Sequence, residues 1–174
     1  MSQVTLSEYS AEWRYHFRCV AAELTAIASL AAHIEHIGST SVVGLCAKPV
    51  IDIMLGVAKL SDIKLRIPTI ETLGYVYRAE YELALPERRY FVRAANVTPR
   101  LHLHCVLYRG QLWVQHLAFR DALRADAQLA RQYQVLKHAL AALHAGDKVA
   151  YSAAKSLFIA QVLSSPRCVR ARAF

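Results

Sequence analysis

Apolar residues in the first part of the chain recur every three to four positions. From Ser10, a candidate N-cap, they fall at Trp13, Phe17, Val20, Leu24 and Ile27, which predicts an amphipathic helix running to about Ala32. The pattern then changes. His33 to Ile37 leads into Gly38-Ser39-Thr40-Ser41, and beyond Gly44 and Pro49 the run Val50-Ile51-Asp52-Ile53-Met54-Leu55-Gly56-Val57 is β-branched and nearly all apolar. Such a run, bounded by Pro and Gly, predicts a strand buried on both faces. Ser61 to Leu73 reads as a helix closed by Gly74 at C′, and Tyr75 to Tyr77 as a short strand.

Further on, Arg88 to Ala94 and Arg100 to Leu107 flank Asn96-Val97-Thr98-Pro99, which is turn chemistry and predicts an antiparallel hairpin. In its second strand Leu101, Leu103, Cys105 and Leu107 share one face, and Arg100, His102 and His104 the other. If Tyr90 and Val92 face the core, Arg89 and Arg93 project to the side of His102 and His104 or near it. The remainder is predicted helical. Leu129, Tyr133, Leu136, Leu140 and Leu143 alternate four-three in a run that Asp126 can cap, and Asp147 can cap a last helix through Val162. Helix, strand, helix, hairpin, then helices define an α+β class.

Length and composition narrow this to one folded domain. The chain has 174 residues, of which 55% are hydrophobic, with six Gly and five Pro; disordered, collagenous and low-complexity classes are excluded. The domain is expected over 1–165, with residues 166–174, which carry three arginines, as a basic tail. Cys19, Cys46, Cys105 and Cys168 lie far apart without a Cys-x-x-Cys pair, so neither a zinc ribbon nor a redox motif is readable. The first residues lack a signal-peptide pattern and no apolar run approaches the ~20 residues that span a bilayer, so a cytoplasmic protein with reduced thiols and no membrane contact is expected.

The charge is lopsided: 21 Lys plus Arg against 13 Asp plus Glu, a formal +8. This implies anionic partners. Between Arg88 and Arg120 lie six arginines, three histidines and no acid, and guanidinium forks match phosphate. Nucleic acid is not the expected partner, because no helix-turn-helix, RNP-type aromatic motif or zinc finger is present.

Three features could carry chemistry. Gly38-Ser39-Thr40-Ser41 offers close backbone approach and hydroxyls, and reads either as a phosphate cradle or as a simple turn and cap. Asp52 interrupts an apolar strand, where a carboxylate needs a hydrogen-bonding, ionic or metal partner. His102 and His104 present two imidazoles on one strand face, a spacing that permits joint metal ligation or phosphate contact. Lys137 and Lys155 each follow a tyrosine by four residues, Tyr133 and Tyr151, and read as lysines snorkelling at the rim of the core.

The segment His36 to Ile53, with Gly38-Ser39-Thr40-Ser41, Lys48 and Asp52, closely resembles the signature of the bacterial GrpB family, a group assigned to the nucleotidyltransferase superfamily that includes DNA polymerase β. The resemblance extends through Arg89-Tyr90-Phe91, His102-Leu103-His104, Phe119 to Arg124, Tyr133 with Lys137, and Tyr151 with Lys155. It implies a nucleotidyltransferase-like mixed β-sheet flanked by helices, with a helical C-terminal part. It also implies a triphosphate on the Gly38-Ser39 loop and a divalent metal on Asp52. Catalysing members of that superfamily carry a second carboxylate two residues on and a third on a later strand. Here those positions are Met54 and the His102–His104 strand, and one Asp with two His suits Mn²⁺ or Zn²⁺ better than a pair of Mg²⁺ ions.

The resulting expectation is a metal-dependent nucleotidyltransferase-like protein. Gly38, Ser39, Thr40, Lys48, Arg89 and Lys155 would bind phosphate; Asp52, His102 and His104 would hold the metal; Asp52 and His104 would be catalytic, with His104 or Glu87 as base. The alternative is a catalytically deficient module that binds a nucleotide or a coenzyme-like small molecule, since some family domains are fused to dephospho-coenzyme A kinase.

Overall fold

The computed structural model describes residues 4–28, 33–93 and 99–165. The expected end of the first helix at Ala32, the turn at 96–98, Cys168 and the basic tail lie outside the described residues. The chain folds as α1 (Glu12–Ala28), β1 (His33–Ile37), β2 (Val50–Val57), α2 (Leu60–Glu71), β3 (Val76–Tyr77), β4 (Arg88–Arg93), β5 (Arg100–Leu107), α3 (Gln111–Ala125), α4 (Ala127–Leu143), α5 (Lys148–Ala154) and α6 (Ser156–Ser164). The class is α+β.

The five strands form one mixed sheet in the order β1-β2-β5-β4-β3. Strands β2 and β5 run parallel, and the other pairs are antiparallel. The central pair sets the register on which the site depends: Asp52 lies opposite His102 and Met54 opposite His104. Strand β2 is apolar on both faces apart from Asp52, as a strand covered on both sides requires, whereas β5 is apolar on one face and carries His102 and His104 on the other.

On one face Ile51, Ile53, Leu55, Phe91, Leu101, Leu103 and Cys105 pack beneath α1 and α2, which contribute Trp13, Val20, Leu24, Ile63 and Ile70. On the other, Ile37, Met54 and Val106 pack against Trp113 of α3. Gly56 makes room there, since a Cβ on it would meet the Trp113 ring at 2.7 Å. A third cluster, Val42, Leu45, Leu123 and Tyr133 with Phe119 and Phe158, ties α3, α4 and α6 to the loop after β1.

Leu107, on the same side of β5 as Leu101, Leu103 and Cys105, is 41% exposed because it stands at the strand end. Two expectations are corrected. The run after Asp147 is two helices, α5 and α6, interrupted at Lys155. Most important for function, the parity of β4 is the reverse of that expected. Tyr90 pairs with His104 and Val92 with His102, so Arg88, Tyr90 and Val92 share the histidine face. Arg89 and Arg93 pair with Cys105 and Leu101 and point to the opposite face. The reason lies in Arg88-Arg89-Tyr90-Phe91-Val92-Arg93, whose three central residues are all apolar; Phe91, the fully buried one, decides which way the strand faces.

Candidate functional site

Asp52 is placed by β2, next to β1 on one side and β5 on the other. Its Oδ1 lies 3.3 Å from His102 Nδ1 and 3.4 Å from His104 Nε2, so one carboxylate oxygen receives both imidazoles. Burial alone would push the Asp52 carboxyl up, but hydrogen bonds from both rings and their positive potential hold it well below the usual carboxylate range. His104 is shifted the other way, below an ordinary histidine, chiefly by burial. The partner that Asp52 requires is thus the pair of histidines on the parallel neighbour strand.

These three side chains form a metal-competent group, since one donor atom from each lies within 4.8 Å of the others. A carboxylate oxygen with two imidazole nitrogens is chemistry that Mn²⁺ and Zn²⁺ accept. Met54, on the same sheet face, is fully buried against Ile37, Val106 and Trp113. The seat where a second carboxylate would stand is therefore part of the core.

Gly38 comes next. It adopts φ 70°, ψ −175° at the exit of β1, and a Cβ on it would lie 2.4 Å from Asp52 Oδ2. The glycine is required for the carboxylate to approach the loop, whatever else the loop binds. A 3₁₀ turn, Ser39–Ser41, follows. Its hydroxyls are partly committed: Ser41 donates to Gly38 O at 2.6 Å, and buried Thr40 donates to Val50 O at 3.1 Å. Thr40 Oγ1 also lies 3.0 Å from Nε2 of His36, a ring that burial holds down to about 4. With its own proton spent on Val50, the Thr40 oxygen accepts from that ring.

Ser39 faces a cleft of about 200 Å³ lined by Ser39, Thr40, Lys48, Asp52, His102, Lys137, Tyr151 and Lys155, among others. Lys137 is 1% exposed; its Nζ donates to Ser39 Oγ at 3.2 Å and to the carbonyl of Cys46, and burial lowers it to about 8. It is not a snorkelling rim residue. Lys48 and Lys155 lie over the ring of buried Tyr151, at 4.2 and 4.5 Å from its centroid. Cation–π contact with one ring holds both ammonium groups at the wall of the cleft.

The structure thus brings Ser39, Thr40, Lys48, Asp52, His102 and Lys155 to one cleft, with His104 behind Asp52 and Gly38 against it. Arg89 is not there. It donates to Pro86 O at 2.8 Å and pairs with Glu82 on the far side of the sheet. Glu87 is exposed and outside the cleft lining. In place of Arg89, Arg88 reaches the site, its Nη1 lying 3.3 Å from His104 Nδ1. Arg88 and Lys137 are the residues that sequence reasoning missed as site members. The Tyr133–Lys137 spacing was a visible signal for one; the histidine-face parity of Tyr90 would have found the other.

A larger cavity of about 1090 Å³, lined by Tyr108, Trp113, Leu117, Leu129 and Phe158 among others, lies between β1, α3, α4 and α6 and contains none of these site residues. No helix among the described residues is long and apolar enough to cross a membrane.

Comparison with known proteins agrees with this arrangement of sequence and fold. The family model of the GrpB protein matches residues 3–165. The chain is 32% identical over 165 residues to the glutamate-rich protein GrpB of Alkalihalophilus pseudofirmus, covering 93% of this chain and 95% of that one. It is 34% identical over 164 residues to a UPF0157 protein of Halalkalibacterium halodurans, covering 93% and 82% respectively. The crystal structure of the conserved protein GrpB from Enterococcus faecalis superimposes with a TM-score of 0.83 at 32% identity, over 97% of each chain. The chain is therefore a member of the GrpB family.

Proposed function

We propose that this protein binds the phosphate chain of a nucleoside triphosphate together with one divalent metal ion, and that it is a nucleotidyltransferase-like enzyme. One observation carries the reading: a metal-competent Asp52–His102–His104 group borders a cleft whose other charged lining is Lys48, Lys137 and Lys155. Three ammonium groups facing one carboxylate call for an anion. The cleft, at about 200 Å³, is smaller than the roughly 300 Å³ at which whole-ligand pockets begin, so it takes the phosphates and leaves the nucleoside outside.

Asp52, His102 and His104 would hold the ion, which supplies charge neutralisation at a phosphoryl oxygen. Ser39 and the three lysines orient and neutralise the chain. In transfer, an acceptor hydroxyl attacks the α-phosphorus in line, its proton leaves to water, and the bond to the β-phosphate oxygen breaks to release pyrophosphate. Positioning and charge stabilisation supply the acceleration.

A second reading, a nucleotide or coenzyme-binding module without turnover, is favoured by Met54, whose burial removes the position of a second-metal carboxylate. Thermal shift with ATP, GTP, CTP and coenzyme A, with and without Mn²⁺, tests the binding common to both. Stabilisation that Asp52→Ala abolishes is the expected result. Labelled NTP with Mn²⁺ and a cell extract separates the two: a labelled acceptor marks the enzyme, and binding without label in any combination marks the module. If no nucleotide or coenzyme stabilises the protein, both readings fall.

A further inference from the structure

His104 is held from both ends by groups of opposite hydrogen-bonding character. At Nδ1 stands Arg88 Nη1, 3.3 Å away, and a guanidinium only donates, so Nδ1 accepts and carries no proton. At Nε2 stands Asp52 Oδ1, 3.4 Å away, and an ionised carboxylate only accepts, so Nε2 carries the proton. The neutral Nε2–H tautomer is the one form that satisfies both contacts.

A metal ion on the Asp52–His102–His104 group needs the reverse. The ring nitrogen of His104 that faces Asp52 is Nε2, and it ligates only through a free lone pair, which places the proton of a neutral ring on Nδ1. There it meets Arg88, which has no acceptor. His102 is under no such constraint: its Nδ1 faces Asp52, and among the described residues no cation donates to its other nitrogen.

Arg88 is poorly anchored elsewhere. It forms no ion pair among the described residues, its Nε is buried without a hydrogen-bond partner, and its guanidinium lies 4.7 Å from the centroid of the Tyr90 ring. That contact coexists with the one to His104, so the guanidinium can keep it on leaving Nδ1.

We infer that Arg88 sets metal loading at this site: it locks His104 in the tautomer that cannot ligate, and an ion enters only as the guanidinium leaves Nδ1. The inference rests on the proposed metal site. It makes Arg88 a positioning residue that acts through His104.

The test uses the full chain and Zn²⁺, which is diamagnetic. In the metal-free wild type, ¹⁵N-resolved imidazole spectra are expected to show His104 as the Nε2–H tautomer, converting to Nδ1–H on Zn²⁺ addition. Arg88→Gln supplies a carbonyl acceptor for Nδ1–H, whereas Arg88→Met removes the charge without supplying one. By calorimetry, Arg88→Gln should bind Zn²⁺ more tightly than Arg88→Met by about five- to tenfold, the worth of one hydrogen bond to a polarised donor, and both more tightly than the wild type. Variants that bind Zn²⁺ no more tightly than the wild type, or an Nδ1–H tautomer in the metal-free wild type, overturn the role of Arg88 while leaving the metal site standing. Failure of all three proteins to bind Zn²⁺ or Mn²⁺ overturns the metal site itself and this inference with it.

Discussion

Replacing Gly38 by alanine would set a methyl carbon 2.4 Å from Oδ2 of Asp52 and ask a side-chain residue to hold φ 70°. Both penalties fall at one residue, so Gly38→Ala should cost about 1–3 kcal/mol in urea unfolding and should weaken Mn²⁺-dependent nucleotide stabilisation as well. Loss of stability without loss of ligand response would mean that the loop and Asp52 work independently. Lys137 invites a different experiment. Its ammonium is buried, bonded only to neutral oxygens and lowered to about 8, so it is charged below that pH and neutral above it. The thermal shift produced by inorganic triphosphate should therefore shrink as pH rises from 7 to 9. In Lys137→Met the shift should be smaller and the part of its pH dependence due to this lysine should be gone. A shift in that variant equal to the wild type would remove Lys137 from the phosphate site.

Among the elements, α4 shows how local chemistry fixes a boundary that packing then uses. Asp126 accepts from the amides of Gln128 and Leu129, both at 3.0 Å, and the helix it starts carries Lys137 to the wall of the cleft. Asp126→Ala should cost about 1 kcal/mol by urea denaturation, the usual worth of an N-cap. A null result would place the start of α4 under the control of packing alone. Asp147 caps α5 in the same way, through Val149 and Ala150 at 2.9 Å. Both caps were legible because an Asp immediately before a periodic apolar run is a local signal. The facing of β4 was not: with Tyr90, Phe91 and Val92 all apolar, either parity satisfies the strand by itself. Pairing of Phe91 with buried Leu103 decides it, and a one-residue slip exchanges Arg88 for Arg89 at the site.

The charge of the whole molecule proves less concentrated than its sequence suggests. Several arginines of the acid-free stretch are met by acids from distant segments: Arg89 by Glu82, Arg93 by Glu23, Arg120 by Glu35 and by neighbouring Asp121. The cleft owes its positive character mainly to lysines outside that stretch. Global stability should also respond to pH through buried His36 and half-buried His116, whose rings burial lowers from 6.5 to about 4. Each has a depressed folded value, so the unfolded chain takes up protons first; stability should be full above pH 6.5 and fall as pH drops toward 4. For His36 the loss reaches roughly 3 kcal/mol at most. Urea midpoints at pH 7 and 4.5 check this, and His36→Gln should flatten the dependence. An unchanged midpoint would show that neither ring is kept neutral by the fold.

By itself the sequence determined the elements, the caps, the α+β class and the need of Asp52 for a partner, because these depend on periodicity, on N-cap chemistry and on the cost of a carboxylate in an apolar strand. The family resemblance gathered the Gly38 loop, Asp52 and the histidine pair into one expected site. Only the tertiary structure decided that Asp52 faces His102 across a parallel pair, that Arg88 rather than Arg89 stands over His104, and that Lys137 is a buried wall of the cleft. Each of these turns on contacts between positions 16 to 98 residues apart. Local sequence carries no record of such register, because it is set by which side chains fill the core between the strands and helices.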